Sequence, residues 1–140
     1  MKRKLCILLV LLTLFFALTS CGETKDPDLN FTNHLTTVVH NFYVSPVGDD
    51  DWSDPVSLAK ISSGSTISFD FTKIAENAGP GVYDLGAIDE NAMNYDAYDV
   101  PLAVGDQIDL AGDADSAEFT VTHADGQADH YEAFIYSNDG

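Results

Sequence analysis

From Ser65 to Phe71, apolar side chains fall at every second position (Ile67, Phe69 and Phe71), with polar residues between them. Successive side chains of an extended strand point to opposite faces, so this pattern describes a strand with one buried face and rules out an amphipathic helix there. Similar short runs follow one another along the chain. Leu35 to Val44 is rich in β-branched and aromatic residues and stops at Ser45-Pro46, because proline cannot donate to a strand ladder. Val56 to Ile61 reads as a weak strand, and Gly79-Pro80-Gly81 turns the chain into Val82 to Ile88. Asn91 to Val100 and Gly105 to Leu110 read as further strands, and Ala117 to Thr122 with His130 to Tyr136 as a hairpin around Asp125-Gly126. Only Ile74 to Ala78 hints at a helical turn. About seven short strands, with turn signals every 8–12 residues or so, predict an all-β fold: a single antiparallel β-sandwich over residues 34–140.

Ahead of that domain the composition changes. Lys2, Arg3 and Lys4 precede an apolar run from Leu5 to Leu18, and Thr19-Ser20 supply small residues after it, the three parts of a cleaved secretory signal. The run is 14 residues long, short of the ~20 that a membrane-crossing helix needs. Leu18-Thr19-Ser20-Cys21 resembles the lipobox of bacterial lipoproteins. The resemblance implies that residues 1–20 are removed, that the sulfur of Cys21 carries a diacylglycerol, and that in many bacteria the new α-amine is acylated as well. Two or more acyl chains, at about 0.8 kcal/mol per buried CH₂, hold a protein on a membrane stably. The expected address is therefore the bacterial cell envelope, with the domain facing the periplasm or the exterior. Gly22 to Asn33 is polar, holds Glu23, Asp26, Pro27 and Asp28, and reads with Cys21 as a lipidated flexible tether over residues 21–33. The two cysteines are Cys6, in the leader, and Cys21, so no disulfide is expected and the core alone must stabilise the fold.

After cleavage only Lys25, Lys60 and Lys73 face 23 acidic residues, a formal charge of −20. Such a field repels phosphate backbones, so nucleic-acid binding is the function class most directly excluded. It suits either a solvated surface in salt or the capture of cations.

The succession Phe42-Tyr43-Val44-Ser45-Pro46, Asp51-Trp52, Gly64-Ser65, Gly81-Val82-Tyr83-Asp84-Leu85 and Ala87-Ile88-Asp89 resembles a group of small secreted bacterial proteins with immunoglobulin-like sandwiches. The likeness covers Leu35 to Leu110, and Ser53 stands where those proteins usually carry glycine. It implies an immunoglobulin-like fold; the matching residues are strand ends and turns, and no activity comes with them.

Three acidic groups are candidate sites for a hard cation such as calcium, which takes six to eight oxygens or so at short range: Asp49, Asp50 and Asp51 with Asp54; Asp109 with Asp113 and Asp115; and Asp84 with Asp89 and Glu90. The first is the strongest, yet none has the spacing of an EF-hand loop, and a chain with 18 aspartates produces clusters as solvated loop charge. Trp52, the single tryptophan, reads as a lid over one end of the sandwich, with a ligand platform for sugars or apolar groups as the alternative. Tyr95 and Tyr98 fall on opposite faces of their strand, which argues against a two-tyrosine platform. His123 and His130 flank the hairpin turn and would meet as metal ligands only if all six intervening residues formed the loop. No nucleophile elbow, metal-binding H-E-x-x-H or phosphate loop is present, so no enzyme is expected. The sequence thus predicts a non-catalytic membrane-anchored module, binding a protein or glycan partner or serving the envelope structurally, with calcium as the possible cofactor.

Overall fold

The computed structural model describes residues 29–48, 52, 54–57, 59–74 and 81–138; Cys21, Asp49, Asp50 and Asp51 lie outside them. The described chain is all-β, in chain order β1 (Leu29–Leu35), β2 (Val39–Pro46), β3 (Thr66–Phe69), a helical turn (Phe71–Ile74), β4 (Gly81–Asp89), β5 (Met93–Leu102), β6 (Asp106–Gly112), β7 (Ala117–Thr122), β8 (Ala128–Glu132) and β9 (Phe134–Ser137). These form a five-stranded sheet in the order β3-β1-β6-β7-β8 and a four-stranded sheet in the order β2-β4-β5-β9. The two sheets pack as a sandwich. Phe31 of β1 stacks on Phe42 of β2 with ring centroids 3.9 Å apart and planes 14° from parallel. Around that pair the inward positions of both sheets, among them Leu85, Val100, Ile108 and Phe119, are fully buried.

The period-two expectation holds at β3, where Ile67 and Phe69 are half-buried and Thr66 and Ser68 exposed. Phe71 is buried as expected but from the helical turn rather than from the strand. Val56 to Ile61 makes only isolated bridges to β2, Phe42 to Ser57 and Val39 to Ile61.

Three expectations need correction. The first strand begins at Leu29, inside the stretch read as tether, and with it the described strands number nine rather than about seven. Its alternation is hidden because Asn33 takes an inward position between Phe31 and Leu35. The side chain is fully buried: Nδ2 donates to the carbonyls of Thr37 and Ile61 at 2.9 Å each, and Oδ1 accepts from the Leu35 N–H at 2.9 Å. A polar residue with every hydrogen bond satisfied sits in a core without the usual penalty, and periodicity cannot see it. The sandwich is also not wholly antiparallel. β1 runs parallel to β6, from Leu29 opposite Asp106 to Leu35 opposite Gly112. The chain leaves β1 for the other sheet, so no hairpin constrains the direction of the strand that later pairs with it. Finally, His130 to Tyr136 is two strands. At Ala133, whose N–H donates to the Ala117 carbonyl at 2.8 Å, the chain leaves β8 and enters β9 in the opposite sheet.

Candidate functional site

The outer faces of the two sheets differ in chemistry. On the five-stranded sheet the outward side chains are polar and bonded to each other: Thr32 to Thr66 at 2.7 Å, Ser68 to Asn30 at 2.6 Å, Gln107 to Thr32 at 2.9 Å. On the four-stranded sheet, cross-strand pairing aligns Tyr43, Gly86, Asp96 and Phe134 in one row and Ile88, Asn94 and Tyr136 in the next. Period two therefore brings aromatic residues from β2, β5 and β9 to one outward surface, where Tyr98 and Phe134 are 50% and 64% exposed.

Trp52 joins this surface, not an end of the sandwich. Its indole lies over Gly86 in the middle of β4: a Cβ on Gly86 would stand 3.3 Å from ring atoms Cη2 and Cζ3. The missing side chain is what lets the ring settle on the strand backbone. Trp52 meets Tyr43 edge-on at 6.2 Å and remains 41% exposed. Between these rings and β9 lies an open cleft of about 480 Å³, bordered by Trp52, Tyr43, Gly86, Asn94, Asp96 and Tyr136. That volume is the size of a small-molecule site.

Asp96 is the polar centre of the cleft. It is only 4% exposed, and its Oδ2 accepts from the hydroxyls of Tyr136 at 2.9 Å and Tyr98 at 3.1 Å. Burial pushes its carboxyl above the ordinary carboxylate value, the hydroxyls of Tyr136 and Tyr98 pull it back, and the charge of Asp84 raises it further. Tyr136 is pushed up to about 12, by burial first and then by its bond to Asp96. The phenols thus stay neutral donors and hold the carboxylate in one orientation.

The other candidate residues are dispersed. Asp54 is exposed and borders the same cleft, while its expected companions Asp49, Asp50 and Asp51 lie outside the described residues. Asp84 and Asp89 are committed to the fold: Asp84 accepts from the Asp99 N–H at 3.0 Å, and Asp89 takes the N–H groups of the β4–β5 turn. Glu90 accepts from the Val38 N–H, Asp113 caps its own turn through the N–H groups of Asp115 and Ser116, and Asp109 pairs with His34 at 2.9 Å. Among the described residues no group of three or more His, Cys, Asp or Glu could hold a metal ion. Tyr95 faces inward and Tyr98 outward, as the alternation predicts.

His123 and His130 do not meet, because the hairpin register pairs Thr120 with His130 and Val121 with Asp129. His130 binds Glu118 at 2.7 Å. His123 bridges the β6 and β8 strands, with Nδ1 3.0 Å from buried Asp106 and Nε2 3.1 Å from Asp129. Its pKa is raised above 6.5, first by the bond to Asp129; burial opposes this, and the bond to Asp106 and the charges of both aspartates add to the rise. A histidine whose folded pKa is raised contributes stability that is complete below its unfolded pKa and lost as the pH climbs through the folded one. The His123 contribution should therefore grow as the pH falls from above its raised folded pKa toward 6.5, and His123→Gln should flatten that slope. Thermal melts at matched ionic strength measure it; a slope unchanged in the variant would assign the effect elsewhere.

Asp96, Tyr43, Gly86 and Tyr136 were not singled out by the sequence. The one available signal was the outward set Asn94, Asp96 and Tyr98 alternating with Tyr95 and Ala97, but Tyr43 and Tyr136 reach the site only through sheet pairing. Compared with known proteins, the chain matches no family model, no curated protein and no solved structure.

Proposed function

We propose that this chain is a lipid-anchored, non-catalytic glycan-binding module of the bacterial cell envelope, an immunoglobulin-like sandwich held near a membrane by Cys21. The observation that carries the binding role is the open cleft on the outer face of the β2-β4-β5-β9 sheet, where exposed aromatic rings surround a buried carboxylate. A pyranose presents apolar ring faces and polar edges. Trp52 and the tyrosines offer surfaces for the first, and Asn94 and Asp96 offer hydrogen-bonding groups for the second. Asp96 acts as a fixed acceptor, since two phenols already orient it. Anchoring is supported by the lipobox-like Leu18-Thr19-Ser20-Cys21, and the immunoglobulin-like assignment by the two-sheet packing together with the motif succession from Phe42 to Asp89.

Two substitutions in the full chain separate these parts. Cys21→Ala should abolish acyl labelling and move the protein off membranes or trap its precursor, with the melting transition unchanged. Trp52→Ala should leave the protein on the membrane and weaken capture by immobilised envelope polysaccharide at least tenfold or so, the scale of losing a stacking ring at a hot spot. Membrane retention without any acyl label on the unaltered chain would refute the anchor. Capture indifferent to Trp52 would refute the glycan site and favour a protein partner.

A further inference from the structure

Resting on that glycan reading, we infer that the cleft selects sugars carrying a protonated amine, with Asp96 as the counter-ion. Oδ2 of Asp96 is occupied by the hydroxyls of Tyr98 and Tyr136. Oδ1 lies beside Gly86, 3.2 Å from where a Cβ on that glycine would stand, and no hydrogen bond reaches it from the described residues; both Gly86 and Asp96 border the cleft. A carboxylate that is 4% exposed needs compensation for the water it has lost. Two neutral hydroxyls on one oxygen supply part of that compensation, and among the described residues no cationic side chain adds to it: the groups that act on Asp96 are Tyr136, Tyr98 and the like-charged Asp84. The site is thus a negative charge, held in place, short of one positive partner.

The surroundings favour that partner over a neutral ligand. Aromatic faces attract cations through the ring quadrupole, strongest for indole, and Trp52, Tyr43 and Tyr136 all border the same cleft as Asp96. The chain beyond the leader has three lysines against 23 acids, so the long-range field draws cations toward every concave surface. A neutral hydroxyl could donate to Oδ1 but would leave the buried charge unneutralised. An ammonium donates the same hydrogen bond and neutralises it, adding to the bond the direct attraction of opposite charges in a place screened from bulk water. The sugar ring then stacks where the glycan reading already places it, and its amine points at Oδ1.

Trp52, as the single tryptophan, reports binding directly through its fluorescence. The probes are the β-1,4-linked trisaccharide of glucosamine and its fully N-acetylated counterpart, identical in length and linkage and differing in charge, titrated into the full chain in a neutral detergent. The glucosamine trisaccharide should bind saturably and about tenfold more tightly than the acetylated one. Asp96→Asn should cut that preference to about twofold or less, as expected for loss of a charge-assisted contact. Equal affinity for the two sugars would overturn the amine selectivity while leaving the glycan reading standing; binding of neither would overturn both. A preference that survives in Asp96→Asn would assign it to the general acidic field and overturn the role of Asp96. Should that variant fail to fold, a salt series on the unaltered chain decides the same question. Contact with a buried carboxylate keeps the preference from about 50 to about 300 mM NaCl, whereas a field from scattered surface charge is screened away over that range and would overturn the proposal.

Discussion

Truncating Phe42 to alanine is expected to lower the unfolding free energy by about 3–5 kcal/mol, the usual range for removing a large aromatic side chain from a packed core. Phe42 is fully buried, stacks on Phe31 at 3.9 Å and receives the edge of Phe69 at 5.9 Å, so it joins both sheets and the β3 edge. Phe69→Ala should cost distinctly less. Its side chain is half-buried on an edge strand, so part of its surface is already in water and part of the space it leaves refills with solvent. Alternation alone marks Phe69 as an inner-face residue, but only the packing ranks it below Phe42. Denaturant unfolding of the two variants at fixed ionic strength measures the difference. Equal losses would mean that the inter-sheet stack is not the centre of the core.

Asp89→Ala is expected to cost a similar amount, about 3–5 kcal/mol, through a different mechanism: several donors left without an acceptor in a buried place. Asp89 is 2% exposed. Its Oδ1 accepts the N–H groups of Asn91 and Met93 at 2.9 and 3.0 Å, and its Oδ2 the hydroxyls of Thr37 and Tyr95 at 3.0 and 3.1 Å. One carboxylate thus fixes the β4–β5 turn, where Ala92 takes a positive φ of 61°, and ties it to the loop before β2. Tyr95 reports the same contact from its own side, its pKa pushed up to about 12 by burial and by Asp89. Tyr95→Phe removes a single hydrogen bond and should cost only about 1 kcal/mol. If Asp89→Ala proves no more costly than Tyr95→Phe, the turn does not depend on this carboxylate.

Asp89 also illustrates what a sequence conceals about acids. Within Asp84, Asp89 and Glu90 it looked like one member of a loop cluster with a possible ion. In the fold its oxygens are saturated by four donors from its own chain, and Asp84 is held by the Asp99 backbone. Asp96 drew no notice, because a lone aspartate between Tyr95 and Ala97 carries no motif. Its environment is what distinguishes it: burial, two phenols and a place on the border of an open cleft. Trp52 lies over Gly86 on the outer face of the four-stranded sheet and not, as expected, over one end of the sandwich. A lid over the end of the sandwich and a ring laid on Gly86 require the same local sequence, and they differ only in which strand passes beneath the loop.

The amino-acid sequence by itself determined the all-β class, most strand positions and the facing of β3 and β5. Those follow from local rules, the period of two and the conformational limits of proline and glycine, which act between near neighbours. It also set the strongly acidic charge. Only the tertiary structure decided that β1 starts at Leu29 and runs parallel to β6, that the chain changes sheets at Ala133, and that Tyr43, Trp52, Asp96 and Tyr136 share one surface. Each of these depends on pairing between residues far apart in the chain. Register across a sheet is settled by the total burial and hydrogen bonding of the assembled sandwich, a sum over long-range contacts that no single segment contains.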